Sequence, residues 1–241
     1  MTGGKTEVNN FEEIINCINN QQKNKVVSVY LTGSRLYGFN QENSDYDLKV
    51  YVLPTIEDIA LNRMVSKQIN VGINNVDKVD IKDIRYQYSE LTKPNFGSLH
   101  LLELPVYGEM LFSKKSIEAA FKSGKKNLLL SLLGTFRSRQ KIEGTKENAH
   151  LYFLLETAKF WWENDPVFHY FQTDKAKELA KSCVEYRNGK SVNRSEWISE
   201  SDALFEEIVK NKNNNKKQAD YVSYEFLKVV ERMLKNIGQE G

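Results

Sequence analysis

The sequence has little cysteine. Cys17 and Cys183 are its only two, far apart and outside any CxxC or Cys/His spacing. That excludes a disulfide framework and argues against a thiolate zinc site, which leaves a reducing cytoplasm as the expected compartment. No apolar run approaches the roughly 20 residues of a membrane span. The N-terminus carries no signal-peptide core, so no membrane partner is expected. Nor is there an excess of charge of one sign. Thirty-four Lys and Arg against 32 Asp and Glu leave a formal +2, too little for a global field that would hold nucleic acid. Any such binding needs a local patch. Internal repeats are missing too. The polar run KNKNNNKK (210–217) is read as a solvated loop and the opening MTGGKTEV as a flexible start.

Hydrophobic residues make up 40% of the chain, enough for a packed core in one or two domains. Phe11, Ile14, Ile15 and Ile18 recur at helical spacing, and Asn10 with Glu13 resembles a capping box. VVSVYLT (26–32) and DLKVYVL (47–53) read as strands. Thr55 caps a short acidic helix. MVSKQINV and VDKVDIKD flank the turn GINN (72–75) and read as a hairpin, with Asp77 placed in its turn. DIRYQYSELTK reads as a helix that stops before Pro94, and Asn95 restarts one through FGSLHLLEL. From Lys114 on, only helical patterns follow, with Gly124, Gly144 and Gly189 placed at helix C-caps. The fold class is therefore α+β. A small mixed sheet flanked by helices (1–112) is followed by an all-α domain (113–241).

The chemistry concentrates in TGSRLYGFNQENSDYDLKVYV. Residues i and i+2 of a strand share a face, so Asp45 and Asp47 are expected side by side. Like-charged carboxylates raise one another's proton affinity and are stabilised by a cation between them. Oxygen ligands with open positions suit Mg²⁺, which completes its shell with phosphate and water. Gly33-Ser34 follows a strand and opens a helix, where backbone N–H groups favour an anion. Asp80 on the later strand is the candidate third carboxylate. Asp83 competes with it, and its structural reading is the N-cap of the next helix. Metal and phosphate cradle together are what phosphoryl or nucleotidyl transfer requires.

The pattern of Gly33, Ser34, Asp45, Asp47 and Asp80 resembles the nucleotidyltransferase superfamily of DNA polymerase beta. GSRLYG…SDYD is similar to a bacterial and phage branch of predicted nucleotidyltransferases. In that branch a helix and an Asn-Pro-rich turn lead to LEL, as in YQYSELTKPNFGSLHLLEL here, with Pro94 and Asn95 in reverse order. The resemblance covers about residues 26 to 105. A later helix of the branch carries a Lys, a His four on and an Arg three after that. Lys146 and His150 fit, but Phe153 holds the Arg position.

The resemblance implies two Mg²⁺ ions, with Mn²⁺ as a substitute, held by Asp45 and Asp47. Asp80 would bind the catalytic ion and help deprotonate the acceptor. The Gly33 backbone and Ser34 would hold the β- and γ-phosphates of an NTP such as ATP. Arg35 would neutralise phosphate, or else face solvent or pair with Glu42. Tyr37 would line the nucleotide pocket, or else pack in the core. Arg137 and Arg139 would contact phosphate, or else form a solvated face. The expected reaction moves a nucleoside monophosphate from NTP to an acceptor and releases pyrophosphate. The helical domain, with the aromatics of FWW and FHYF and scattered Lys and Arg, favours an RNA 3′-end as acceptor, core packing being the other reading of those rings. The alternatives are protein nucleotidylation, as in antitoxin-like members, and a non-catalytic nucleotide-binding regulatory module.

Overall fold

The structure, a computed structural model, describes residues 11–21, 23–73, 76–211 and 219–237. The expected flexible start, Asn10 of the capping box, half of the 72–75 turn and most of the polar run 210–217 lie outside the described residues. By their contacts the residues form two compact units, 1–36 with 41–87 and 105–110, and 37–40 with 88–104 and 111–241. The chain thus passes between units several times, where the sequence reading expected one boundary at 112.

The first unit holds a five-stranded sheet in the order β3-β4-β2-β1-β5. β1 (Val26–Thr32) runs antiparallel to β2 (Asp47–Val52) and to a two-residue β5 (Tyr107–Gly108). β3 (Ser66–Ile73) and β4 (Val76–Asp83) form the hairpin, and β4 joins β2 in parallel. The sheet is mixed, as the pattern implied. Asp77 belongs to β4, not to the turn. Its faces divide cleanly by the two-residue period of a strand. Val29, Leu48, Val50, Val52, Val79 and Ile81 pack with Ile14, Ile15 and Ile18 of α1 (Phe11–Asn20), and these residues are at most 4% exposed. Burying such side chains stabilises by about 1.5–3 kcal/mol each, so this face fixes the strand register. The other face is left for polar residues.

α2 (Gly33–Leu36) follows β1 with no intervening residue. α3 (Ile56–Ala60) starts at a capping box, in which Thr55 and Asp58 bond each other's backbone. Asp58 also accepts from Asn24, and the Thr55 hydroxyl and backbone pull its carboxyl down to about 2. α4 (Ile84–Thr92) spans the division between the units.

The second unit is helical, built on α5 (Lys114–Ser123), α6 (Lys125–Arg139), α7 (Thr145–Glu163), α8 (Asp174–Arg187), α9 (Arg194–Lys210) and α10 (Ala219–Ile237). Residues 96–102 are a 3-10 helix, where a continuing helix was expected, and Asn95 with Ser98 forms its capping box. Gly144 sits at the N-cap of α7 with φ +120°, not at a C-cap. α9 begins seven residues before SDALFEEIVKNK, because Trp197 and Ser201 are buried along with Leu204 and Ile208. The core contains a stack of rings. Tyr37 lies 4.4 Å from Phe153, 5.9 Å from Phe39, 6.0 Å from Phe96 and 5.4 Å from Phe171, centroid to centroid.

Candidate active site

The polar face of the sheet follows from the register. Tyr30 pairs with Lys49, and Lys49 with Asp80, so these three form one row across β1, β2 and β4. Gln68 of β3 extends it. Asp47 lies two residues before Lys49 on β2, opposite Thr32, and shares that face. The Thr32 hydroxyl donates to the Asp47 carbonyl at 3.0 Å. Alternation places Asp83 on the opposite, apolar face, paired with Val52.

Asp83 is 0% exposed and its carboxylate is fully engaged. It accepts from the Arg85 backbone at 2.8 Å, which caps α4, from Val65 N–H at 3.0 Å and from the Arg85 guanidinium. It ties β3, β4 and α4 together. Asp80 differs in both respects. Its side chain is 32% exposed and lies 3.5 Å from Lys82 Nζ.

Gly33 carries the tightest constraint. Its φ is +66°, a region L side chains rarely adopt. A Cβ there would overlap Asp47 Oδ2 and lie 2.9 Å from Asp47 Cγ. The missing side chain is thus the space the Asp47 carboxylate occupies. The adjoining Ser34 is buried, at 8% exposure, in the first turn of α2.

Asp45 precedes β2 in an exposed loop, so the strand-face argument applies to Asp47 and not to Asp45. The loop is held by Arg35. Its Nη2 donates to Ser44 O at 2.5 Å, and its Nε to Ser44 O at 3.1 Å and Asp45 O at 3.3 Å. The guanidinium also lies 3.8 Å from the Tyr46 ring centroid. Arg35 therefore positions the acidic loop, which none of the three sequence alternatives for it included. Ser44 closes the loop's other side by accepting from Gln41 N–H at 2.9 Å.

Residues 12–97 match the family described as Polymerase beta, Nucleotidyltransferase. Over this segment the chain is similar to polymerase beta-type nucleotidyltransferases. The match contains Gly33, Ser34, Asp45, Asp47, Asp80 and Asp83, and stops before α5. No curated protein matches the chain. No helix among the described residues is long and apolar enough to cross a membrane.

Nucleotidyltransferases of this type generally use divalent metal ions, and the donor chemistry here suits one. Asp45 and Asp47 are exposed carboxylates, and the Gly33 cradle gives Asp47 room that any other residue would fill. Among the described residues no three His, Cys, Asp or Glu side chains converge on one metal position. The register brings Asp47 and Asp80 to one face, with Lys82 against Asp80 and Lys49 between the two acids.

Lys49 was missed from the sequence. It is only 8% exposed and sits in the row of Asp80. The signal was present in DLK, because residue 49 continues the alternation that starts at Asp47. Tyr30, its other neighbour in the row, accepts from Gln87 at 3.3 Å, and burial pushes its hydroxyl up to about 12.

Other candidates are engaged within the helical unit. Tyr37 is 8% exposed within the ring stack of the helical unit, the packing alternative of the two. Arg137 pairs with Asp202 at 2.7 Å and covers Phe205, and Arg139 pairs with Glu147 at 2.6 Å. Neither is a plain solvated face. His150 packs edge-on to Phe39, and burial, aided by the Arg139 charge, lowers its pKa to about 4.

Proposed function

We propose that the chain is a divalent-metal-dependent nucleotidyltransferase acting on an NTP and an acceptor hydroxyl, with an RNA 3′-end as the favoured acceptor. The observation that supports it best is the pairing of Gly33 with Asp47, on a sheet face that also carries Asp80.

In this reading Asp45, Asp47 and Asp80 would draw together on Mg²⁺, or Mn²⁺ in its place, since they do not converge on one position without it. When bound, the ion supplies charge neutralisation at the phosphate oxygens and acidifies the attacking hydroxyl. The Gly33 backbone and Ser34 hold the β- and γ-phosphates. The acceptor oxygen forms a bond to the α-phosphorus, and the bond from that phosphorus to the β-phosphate oxygen breaks. Pyrophosphate leaves with the electron pair, and Asp80 accepts the acceptor's proton. Arg35 keeps Asp45 in place by donating to the carbonyls of Ser44 and Asp45, on either side of the Asp45 side chain.

The buried aromatics of FWW and FHYF do not carry the acceptor preference. Trp161 is 0%, Tyr170 1% and Phe168 9% exposed.

The test is transfer from each α-labelled NTP with Mg²⁺, to total RNA, to added protein and to the chain itself. Label in RNA, lost in Asp45→Ala and Asp47→Ala, is expected. Label in protein alone would transfer the reading to protein nucleotidylation. Robust transfer by both variants would overturn the site.

A further inference from the structure

The helical unit contains a cavity of about 430 Å³ lined by Tyr37, Gly38, Phe171, Lys177, Ala180, Lys181 and Val184. That volume is in the range of ligand sites. Four of these residues are spaced i, i+3, i+4 and i+7 on α8, so they form one stripe of that helix. Ala180 and Val184 supply an apolar strip between the lysines. Gly38, with φ +78°, approaches closely enough that a Cβ would lie 3.2 Å from Ala180 Cβ. Two aromatic rings and a small-residue floor are therefore flanked by Lys177 and Lys181, one helical turn apart, or about 6 Å along the axis.

The lining residues carry two positive charges and no negative one. The acids near them are engaged or exposed. Glu185, one turn beyond Lys181, pairs with Lys190 at 2.7 Å. Asp174 is 3.7 Å from Lys177, but these side chains are 99% and 61% exposed, and such pairs hold weakly. Lys181 has no ion pair among the described residues. Phe171 is held on the cavity by its own backbone. Its N–H donates to Glu103 at 3.0 Å, and the same buried carboxylate takes His169 at 2.9 Å and Gln172 at 2.8 Å. The ring is thus fixed before any ligand arrives.

We infer that this cavity binds single-stranded nucleic acid, with a base against Phe171 and the flanking phosphates on Lys177 and Lys181. Aromatic faces take any base, and lysines one turn apart supply the point charges a strand's phosphates need. The chain's near-zero net charge makes a local patch of this kind the necessary form of such binding. The inference deepens the proposed function, since it assigns the acceptor strand a seat on the helical unit, and it rests on that reading for its role in transfer.

The test is fluorescence anisotropy of the full chain with a 5′-fluorescein 12-mer oligo(A) RNA, titrated across salt. Wild type is expected to bind. Lys177→Glu/Lys181→Glu is expected to weaken binding at least tenfold and to flatten the plot of log K against log salt by about 1.4, at about 0.7 per lost phosphate contact. Phe171→Leu keeps an apolar side chain and should weaken binding by about tenfold with the salt slope unchanged, as for a lost stacked base. Lys210→Glu, at the exposed end of α9, should bind as wild type. ATP affinity should be equal in wild type and the lysine variant. No binding by wild type, or a double variant that binds like Lys210→Glu, would overturn the assignment. So would a parallel loss of ATP affinity, which would make the cavity a nucleotide site. Oligonucleotide binding without label transfer would sink the transferase reading and leave the cavity assignment intact. Label transfer to RNA without oligonucleotide binding would sink the cavity assignment alone.

Discussion

Gly33 and Asp47 occupy between them the space of one ordinary residue pair less a methyl group. The carboxylate of Asp47 fills the position where a Cβ on residue 33 would stand. Gly33→Ala therefore displaces Asp47 and also strains a backbone held at φ +66°. The strain costs about 1–2 kcal/mol. Transfer activity should fall at least a hundredfold while the melting temperature drops by only a few degrees. An alanine variant that kept activity would separate Gly33 from the site.

Asp80 and Asp83 should separate cleanly. Asp80 is on the face of Asp47 and partly exposed, so Asp80→Asn is expected to abolish turnover with little change in melting. Asp83 is buried and holds Val65 and Arg85, so Asp83→Asn should destabilise by about 2–3 kcal/mol. That exceeds the roughly 1 kcal/mol of a lost cap, because a charged partner and a second strand are released as well. Paired activity and urea-melting measurements check both, and the reverse pattern would exchange their roles.

The hairpin and the first two strands were legible because β-branched runs with turn residues around them leave few alternatives. β1 has the bounds 26–32 that the sequence suggested, and β2 differs by one residue. The choice of Asp80 over Asp83 was legible in principle, since one residue of register reverses the face. Other features were not, because they depend on remote partners. β5 is two residues long and exists only through β1. Tyr37 is placed by Phe96, Phe153 and Phe171, which come from three distant segments. Arg35 acts through backbone carbonyls, which have no letter in a sequence.

Arg35→Lys should not rescue Arg35→Ala. The guanidinium reaches two successive carbonyls and a ring face at once, and an ammonium offers no such fork. Both variants should lose most of their turnover, and proteolysis within residues 41–46 should accelerate in both. Restoration of turnover by lysine would show that charge alone matters there.

His150 gives the helical unit a defined acid sensitivity. Burial is the main cause of its low pKa, and the charges of Arg139, Lys146 and Arg187 add to it against that of Glu147. A histidine at about 4 when folded and 6.5 when unfolded takes up more protons on unfolding. Its contribution is fully present above pH 6.5 and is lost as pH falls from there to about 4. Wild type should therefore lose stability over that interval faster than His150→Phe. Melting curves at successive pH values test this, and parallel curves would refute it.

The interleaving of the chain has a genetic consequence. Residues 37–40 and 88–104 pack with the helical unit, while 105–110 return to the sheet unit. A single crossover at residue 112 would hand a new partner the residues Tyr37, Phe39 and Phe96 without Phe153 and Phe171, the rings they stack on. Recombination between relatives at that point would yield chimeras with stranded aromatics. Lineages carrying this arrangement should therefore inherit sheet and helices together, as one gene segment.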